Sequence, residues 1–240
     1  MSRELPILFN TDMVRAILDG RKTMTRRVMK PQPKSKLCYT FAGSHKKDIG
    51  RWGYPSNTAH EFWGEEFILP DDISEMELKK KWNPPYHTDD ILYVRETWHK
   101  YKKRIGKGEG CHIAEFYGYK ASIANSEDAD EPWKPSIHMP KEAARIWLKV
   151  KDVRVERLKD MTDKDALKEG AQGVKCDHAG LGVYGCTDCM NTGWLEPPIL
   201  EVMGIWNSTI KKSDRDRFGW DANPWVWVIE FEMCEKPKNM

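Results

Sequence analysis

No apolar run in the 240 residues approaches the roughly 18 to 20 that a membrane-spanning helix needs. The first ten residues lack the succession of basic, apolar and small residues that marks a secretory leader, so a cytoplasmic protein with no membrane partner is expected. Charge of one sign is also missing. The 39 Lys and Arg stand against 37 Asp and Glu, a net of +2. That balance argues against a polycation that coats duplex nucleic acid through many phosphate contacts. No internal repeat is present. No carboxylate cluster with metal-ligand spacing supports a two-metal nuclease. Strands and helices do not alternate regularly, which disfavours a doubly wound parallel sheet.

What is present is a globular composition, 40% hydrophobic and 32% charged, with enough aromatic side chains to rule out disorder. The charge is uneven. Residues 1–36 hold nine Lys and Arg against three acids, a local net of +6 on a body of −4. One basic end suits a phosphate or nucleic-acid site, or simply a solvated surface. Most of the eleven Trp fall in strand-like segments and are expected in or near the core. Three of the six Cys lie within fourteen residues, which in a cytosolic chain points to metal rather than disulfides.

Residues 5–9 read as a buried strand. Asn10 or Thr11 then caps a helix with Met13, Val14, Ile17 and Leu18 on one face, and Gly20 stops it. Thr23–Val28 reads as a strand closed by Lys30-Pro31-Gln32-Pro33. Residues 34–85 read as an insertion, with a short helix in the charged stretch 71–81. Strands follow at Ile91–Thr97, at His112–Tyr119 and along Ile146–Val155, the last with a bulge near Asp152. Thr162 and Asp165 approximate a capping box for a helix over Asp163–Glu169, stopped by Gly170. Residues 173–198 are a cysteine-rich insertion. A helix over Ile199–Ile210 and a near-continuous apolar strand at Trp225–Met233 complete the chain. The expected fold is α+β: one domain over 1–240, a small mixed β-barrel or strongly curved sheet with flanking helices and two insertions.

The run Gly20-Arg21-Lys22-Thr23-Met24-Thr25-Arg26-Arg27 carries the densest chemistry. In an extended strand Thr23, Thr25 and Arg27 project to one face, with Lys22 at its mouth. Two hydroxyls, an ammonium and a guanidinium suit a phosphate or the edge of a base. They also suit a nucleophile, a Thr hydroxyl beside a Lys made basic by desolvation. Ordinary exposed strand residues would give the same spacing.

Gly20-x-Lys22-x-x-x-x-Arg27 resembles the signature of the ASCH domain, a PUA-like β-barrel superfamily linked to RNA and modified-base recognition. Asp89-Asp90-Ile91-Leu92-Tyr93-Val94-Arg95-Glu96 is similar to that fold's Gly-Asp-x-Leu-x-Val strand, with Asp89 where glycine is usual. Trp225–Phe231 resembles its closing strand. The whole chain resembles the larger ASCH-type proteins of phages and prophages. The resemblance implies a PUA-like fold that binds single-stranded nucleic acid, a nucleotide or a modified base. Arg21, Thr23, Arg26, Arg27, Arg95, Glu96 and His138 are the expected ligand contacts, with Arg95 and Glu96 paired at the barrel mouth. A smaller branch of the superfamily, the bacterial N4-acetylcytidine amidohydrolases, uses a Lys, a Thr and a Glu. Matching places these at Lys22, Thr25 and Glu169. That implies a hydrolase alternative in which Thr25 attacks an amide carbonyl, Lys22 moves the proton and Glu169 orients the Lys. A ribonuclease, or a phage protein-interaction and counter-defence factor, are the other open readings.

Cys176-x-His178-x7-Cys186-x-x-Cys189 places two close pairs around a Gly-rich loop, a spacing that suits a structural, tetrahedral Zn²⁺. It would staple an insertion that has little core of its own. Free thiols on a loop are the other reading. Trp133–Pro140 presents His138 on a proline-stiffened segment, either to a ligand or in a structural hydrogen bond.

Overall fold

The computed structural model describes residues 3–33, 82–106, 111–122, 132–177, 189 and 192–237, with the backbone of short strands at 38–39, 52–54 and 80–81. The chain opens with β1 (Glu4–Leu8), α1 (Thr11–Leu18) and β2 (Met24–Val28). The short strands β3 (Cys38–Tyr39), β4 (Trp52–Tyr54) and β5 (Lys80–Trp82) pair antiparallel in the first insertion. Next come β6 (Ile91–Arg95), β7 (Trp98–Ile105), β8 (His112–Tyr119) and β9 (Trp147–Arg157). The remainder holds α2 (Asp163–Lys168), β10 (Val174–Lys175), β11 (Trp194–Glu196), α3 (Pro198–Thr209), α4 (Arg215–Phe218) and β12 (Trp225–Cys234). Residues 71–79 of the expected helix in the first insertion lie outside the described residues, and residues 80–82 are strand. Among the described residues no helix is long and apolar enough to cross a membrane.

The protein is mixed α+β. Its main sheet has five strands in the order β1–β6–β9–β12–β2, with β1 parallel to β6 and every other pair antiparallel. Among the described residues the sheet is open, not a closed barrel, and β1 and β2 are its edges. β12 is apolar almost throughout because it is covered on both faces. Trp227, Ile229 and Phe231 enter one core with Ile7, Phe9, Val14 and Ile17, which places α1 on that side. Val226 and Val228 enter a second core with Met161, Ala166, Val202 and Trp206, which places α2 and α3 on the other. The long β9–β12 pairing skips Lys151 between Asp152 and Val150, so the bulge falls where the sequence pattern put it.

Asn10 caps α1 by accepting from the Met13 amide at 2.8 Å. Val14 and Ile17 are buried, but Leu18 is 42% exposed and Ala16 is buried in its stead. The reason is a close approach. A Cβ built on Gly170 would lie 2.9 Å from the Ala16 Cβ and 3.2 Å from the Lys22 Cβ, so only small residues fit where the ends of α1 and α2 meet. The strand β7 had no sequence signal, because Lys100, Lys102, Lys103 and Arg104 break any apolar alternation.

Gly20 and Gly170 both hold positive φ, +72° and +99°, but a Cβ at Gly20 would meet nothing within 4 Å. Gly20→Ala should therefore cost about 1 kcal/mol, the left-handed penalty alone. Gly170→Ala should cost about 2–4 kcal/mol, because overpacking adds to that penalty. Denaturant midpoints of the two variants measure the difference, and equal midpoints would rule out the close-approach explanation.

Candidate functional site

Backbone pairing assembles the site. After α1 the amides of Arg21 and Lys22 both donate to Ala16 O at 2.9 Å, and the chain then runs beside the end of α2. Lys22 and Glu169 form an isolated antiparallel bridge, and the Thr23 amide donates to Lys168 O at 2.8 Å. Thr162 caps α2 through the expected box with Asp165, and Gly170 ends it. The two helix ends thus place a lysine and a glutamate, distant in sequence, side by side.

Lys22 is 2% exposed. Its Nζ donates to Glu169 Oε2, Glu169 O and Met24 O, each at 2.8 Å, so all three ammonium hydrogens are used. Burial lowers the Lys22 pKa; the Glu169 carboxylate opposes that shift, and Arg27 and Arg26 add to it. The second Glu169 oxygen accepts from Arg26 at 3.3 Å. Arg26 also donates to Glu156 at 3.1 Å and lies 3.6 Å from Asp165, while its buried Nε has no partner. Arg154 fastens the outer side of this network through Glu156 and Glu230.

Arg27 works on the opposite face of β2. It donates to Thr25 Oγ1 at 3.2 Å and to Leu8 O at 3.0 Å. Its guanidinium also sits 5.4 Å from the Phe9 ring centroid. The bond to Leu8 links β2 to β1, so Arg27 ties together the two edges of the curved sheet. Burial pulls its pKa down, against the pull of Glu169. Between these edges lies a cavity of about 410 Å³. Its polar wall includes Thr25, Arg26, Arg27, Glu169 and Tyr86. Its apolar wall includes Met13, Met161, Val202, Ile205 and Trp206. Tyr86 donates to Pro6 O at 2.8 Å, and burial raises its pKa. Trp206 is held by its Nε1 donating to Phe218 O at 2.8 Å.

The cavity therefore gathers Thr25, Arg26, Arg27 and Glu169, while Lys22 stands behind Glu169 and does not line it. Arg21 lies outside, bonded to Gly170 O and Asp19, and Thr23 is absent from the lining. Arg95 braces the 136–140 segment, donating to Met139 O at 2.8 Å and to Ile137 O. Glu96 is 1% exposed and pairs not with Arg95 but with Arg145, at 2.9 and 3.0 Å. Successive residues of an extended chain point to opposite sides, so neighbours in sequence do not meet. His138 is exposed on a single 3₁₀ turn, Ser136–His138, outside the cavity. Tyr86 and Trp206 were not anticipated. They arrive from a loop and from a helix whose apolar content reads only as core.

Of the candidate zinc ligands, His178 and Cys186 lie outside the described residues. Cys176 follows β10, and its amide donates to Gly193 O at 3.1 Å. Cys189 is buried, and its carbonyl accepts from the Thr192 amide at 2.9 Å. The β10–β11 hairpin carries both. No protein-family model, no curated protein and no solved structure matches the chain.

Glu169→Gln should destabilise the fold by about 3 kcal/mol at pH 7, because a buried ammonium loses its counter-charge. The sign with pH follows from the lowered Lys22 pKa. The unfolded chain keeps that proton to higher pH than the folded one, so stability rises with pH in the window just below 10.5. Without Glu169 the folded pKa drops further and the rise begins earlier. The gap between wild type and variant should thus narrow from pH 7 to pH 10 in denaturant titrations, and a constant or widening gap would count against a charged Lys22–Glu169 pair.

Proposed function

We infer that the cleft between β1 and β2 receives a single nucleobase or nucleoside, free or at a flexible point of a single strand, and that the chain is an ASCH-type, PUA-like binding module. The observation that carries this is the joining of Thr25, Arg27 and Glu169 with Tyr86 and Trp206 around one cavity of about 410 Å³. That volume lies in the range of small-molecule sites, roughly 300 to 1,000 Å³. A base needs an apolar or aromatic slot for its faces and a few fixed donors and acceptors for its edge. Trp206 and the methionines supply the slot. Thr25 offers a hydroxyl, Arg27 a donor and Glu169 an acceptor for an amino group. The resemblance of Gly20–Arg27 to the ASCH signature supports the same reading. So does the positive φ of Asp89, +69°, at the position where that family carries glycine.

A hydrolase acting on N-acylated bases is the second reading, favoured by a hydroxyl and a desolvated lysine on one short segment. It ranks second because Lys22 Nζ already donates to three acceptors and must lose a proton before it can serve as a base. For the insertion at 173–198, we propose a structural Zn²⁺ held by Cys176, His178, Cys186 and Cys189. The metal would close the tip of the β10–β11 hairpin and supply no chemistry to the cleft.

Calorimetric titration with free nucleosides should show one saturable site. Thr25→Val, nearly isosteric, should weaken it about tenfold, the loss of one hydrogen bond at about 1.4 kcal/mol. No saturable binding of any nucleoside would overturn the module reading. Turnover of N4-acetylcytidine that disappears in Thr25→Ala and Lys22→Ala would replace it with the hydrolase. Metal analysis of protein purified without chelator should find about one zinc per chain, and none in the double variant Cys186→Ser, Cys189→Ser. A metal-free wild type would remove the zinc proposal.

A further inference from the structure

The ribbon formed by β7 and β8 stands outside the main sheet as a separate two-stranded sheet. Its pairing sorts the side chains into two faces. On one face lie the pairs Trp98 with Tyr119, Lys100 with Tyr117, Lys102 with Glu115, and Arg104 with Ile113. At the inner end of that face Trp98 and Tyr117 rings lie 5.8 Å apart. Trp98 continues there into a cluster with Trp147 and, packed against it, Tyr93. Lysines ride on these rings. Lys134 Nζ is 5.2 Å from the Trp98 centroid, and Lys141 and Lys236 lie 6.0 and 5.9 Å from that of Trp147. The face therefore carries Lys100, Lys102 and Arg104, and at its inner end Lys134 stands over Trp98 while Lys141 and Lys236 stand over Trp147 of the same aromatic cluster.

Three acids lie near it: Glu115 pairs with Lys100, Glu142 acts on the charge of Lys100, and Glu4 pairs with Lys141 at 2.5 Å. Among the described residues Lys102, Arg104, Lys134 and Lys236 have no carboxylate within ion-pair distance, although Glu115 faces Lys102 across the ribbon. Lys102 and Arg104 are exposed, Arg104 donating to Cys111 Sγ at 2.7 Å, on a strand whose same-face residues repeat about every 6.8 Å. That repeat is close to the spacing of successive phosphates in an extended single strand. The base of the ribbon reaches α1, whose first residues line the cleft. Residues 120–122 follow β8 and pack on α1, where Arg15 donates to Ala121 O at 3.2 Å, and Asn10 and Met13 at the start of α1 line the cavity.

We propose that this face of the β7–β8 ribbon is a track for the phosphodiester backbone of single-stranded nucleic acid. Charge complementarity selects the partner. Four cations without ion-pair partners among the described residues, two of them set on tryptophan rings, fit a polyanion with exposed bases, and a neutral or basic protein surface would leave them desolvated and unpaired. The ribbon makes no use of Thr25, Arg27 or Glu169, so the proposal stands apart from the nucleoside reading of the cleft.

The test is fluorescence anisotropy with a labelled twelve-nucleotide oligothymidylate and a duplex of equal length, across a salt series, on the full chain. Wild type should bind the single strand more tightly than the duplex. Lys102→Glu with Arg104→Glu, both on the solvent side of the ribbon, should weaken binding at least tenfold. The salt slope should fall by about 1.4, at about 0.7 for each lost phosphate contact. Circular dichroism and the denaturant midpoint of this variant should match wild type. Thr25→Val should leave the salt slope unchanged while weakening nucleoside binding, which separates the two sites. Absence of oligonucleotide binding, an unchanged affinity in the charge-reversed variant, or a duplex bound as tightly as the single strand would each overturn the proposal.

Discussion

The buried contact between Lys22 and Glu169 holds the site in place. Two short helices on opposite faces of the sheet end against one another there, and neither end is covered by a long run of apolar side chains. An ammonium with three oxygen acceptors and a carboxylate shared between Lys22 and Arg26 pair the two charges at that junction. Burial makes such a pair costly to break more than it makes it favourable to form. It therefore fixes geometry: once both partners are out of water, only one arrangement of α1, β2 and α2 leaves neither charge unpaired.

From that junction the cleft follows. β2 leaves it as an edge strand, alternating its side chains. Arg26 turns toward the acids of α2 and β9, and Arg27 turns toward β1. Two adjacent arginines thus do different work because the pleat sends them to opposite faces. Arg26 pairs with Glu156 and with Glu169 of the cavity wall. Arg27 bonds the edge strand β1 through Leu8 O and lines the same cavity. The sheet stays open at this seam, and the seam is where polar groups and an apolar slot coincide.

Much of the local structure was legible along the chain. The cap at Asn10, the box at Thr162 and Asp165, the stops at Gly20 and Gly170 and the bulge beside Asp152 all follow from side-chain geometry within a few residues. Thr25, Arg27 and Glu169 were also marked in advance, through the resemblance of two short motifs. What was not legible is instructive. The ribbon strand β7 has a charged pattern that stands up only because β8 supplies aromatic partners. Arg145 as the partner of Glu96, with Tyr86 and Trp206 as cleft walls, arises from contacts across tens of residues, which no local pattern encodes.

Composition and local pattern were enough to establish an α+β chain with a basic opening segment, the placement of its caps and stops, and a short run of hydroxyl and cationic side chains suited to a polar ligand. They act over one or two turns of chain, the range of capping and alternation. Packing alone decided that Lys22 is a buried anchor instead of a cleft residue, that Glu96 and His138 stand away from the cavity, and that the sheet remains open between β1 and β2. Those outcomes depend on which surfaces exclude water together, and desolvation is a property of the assembled fold.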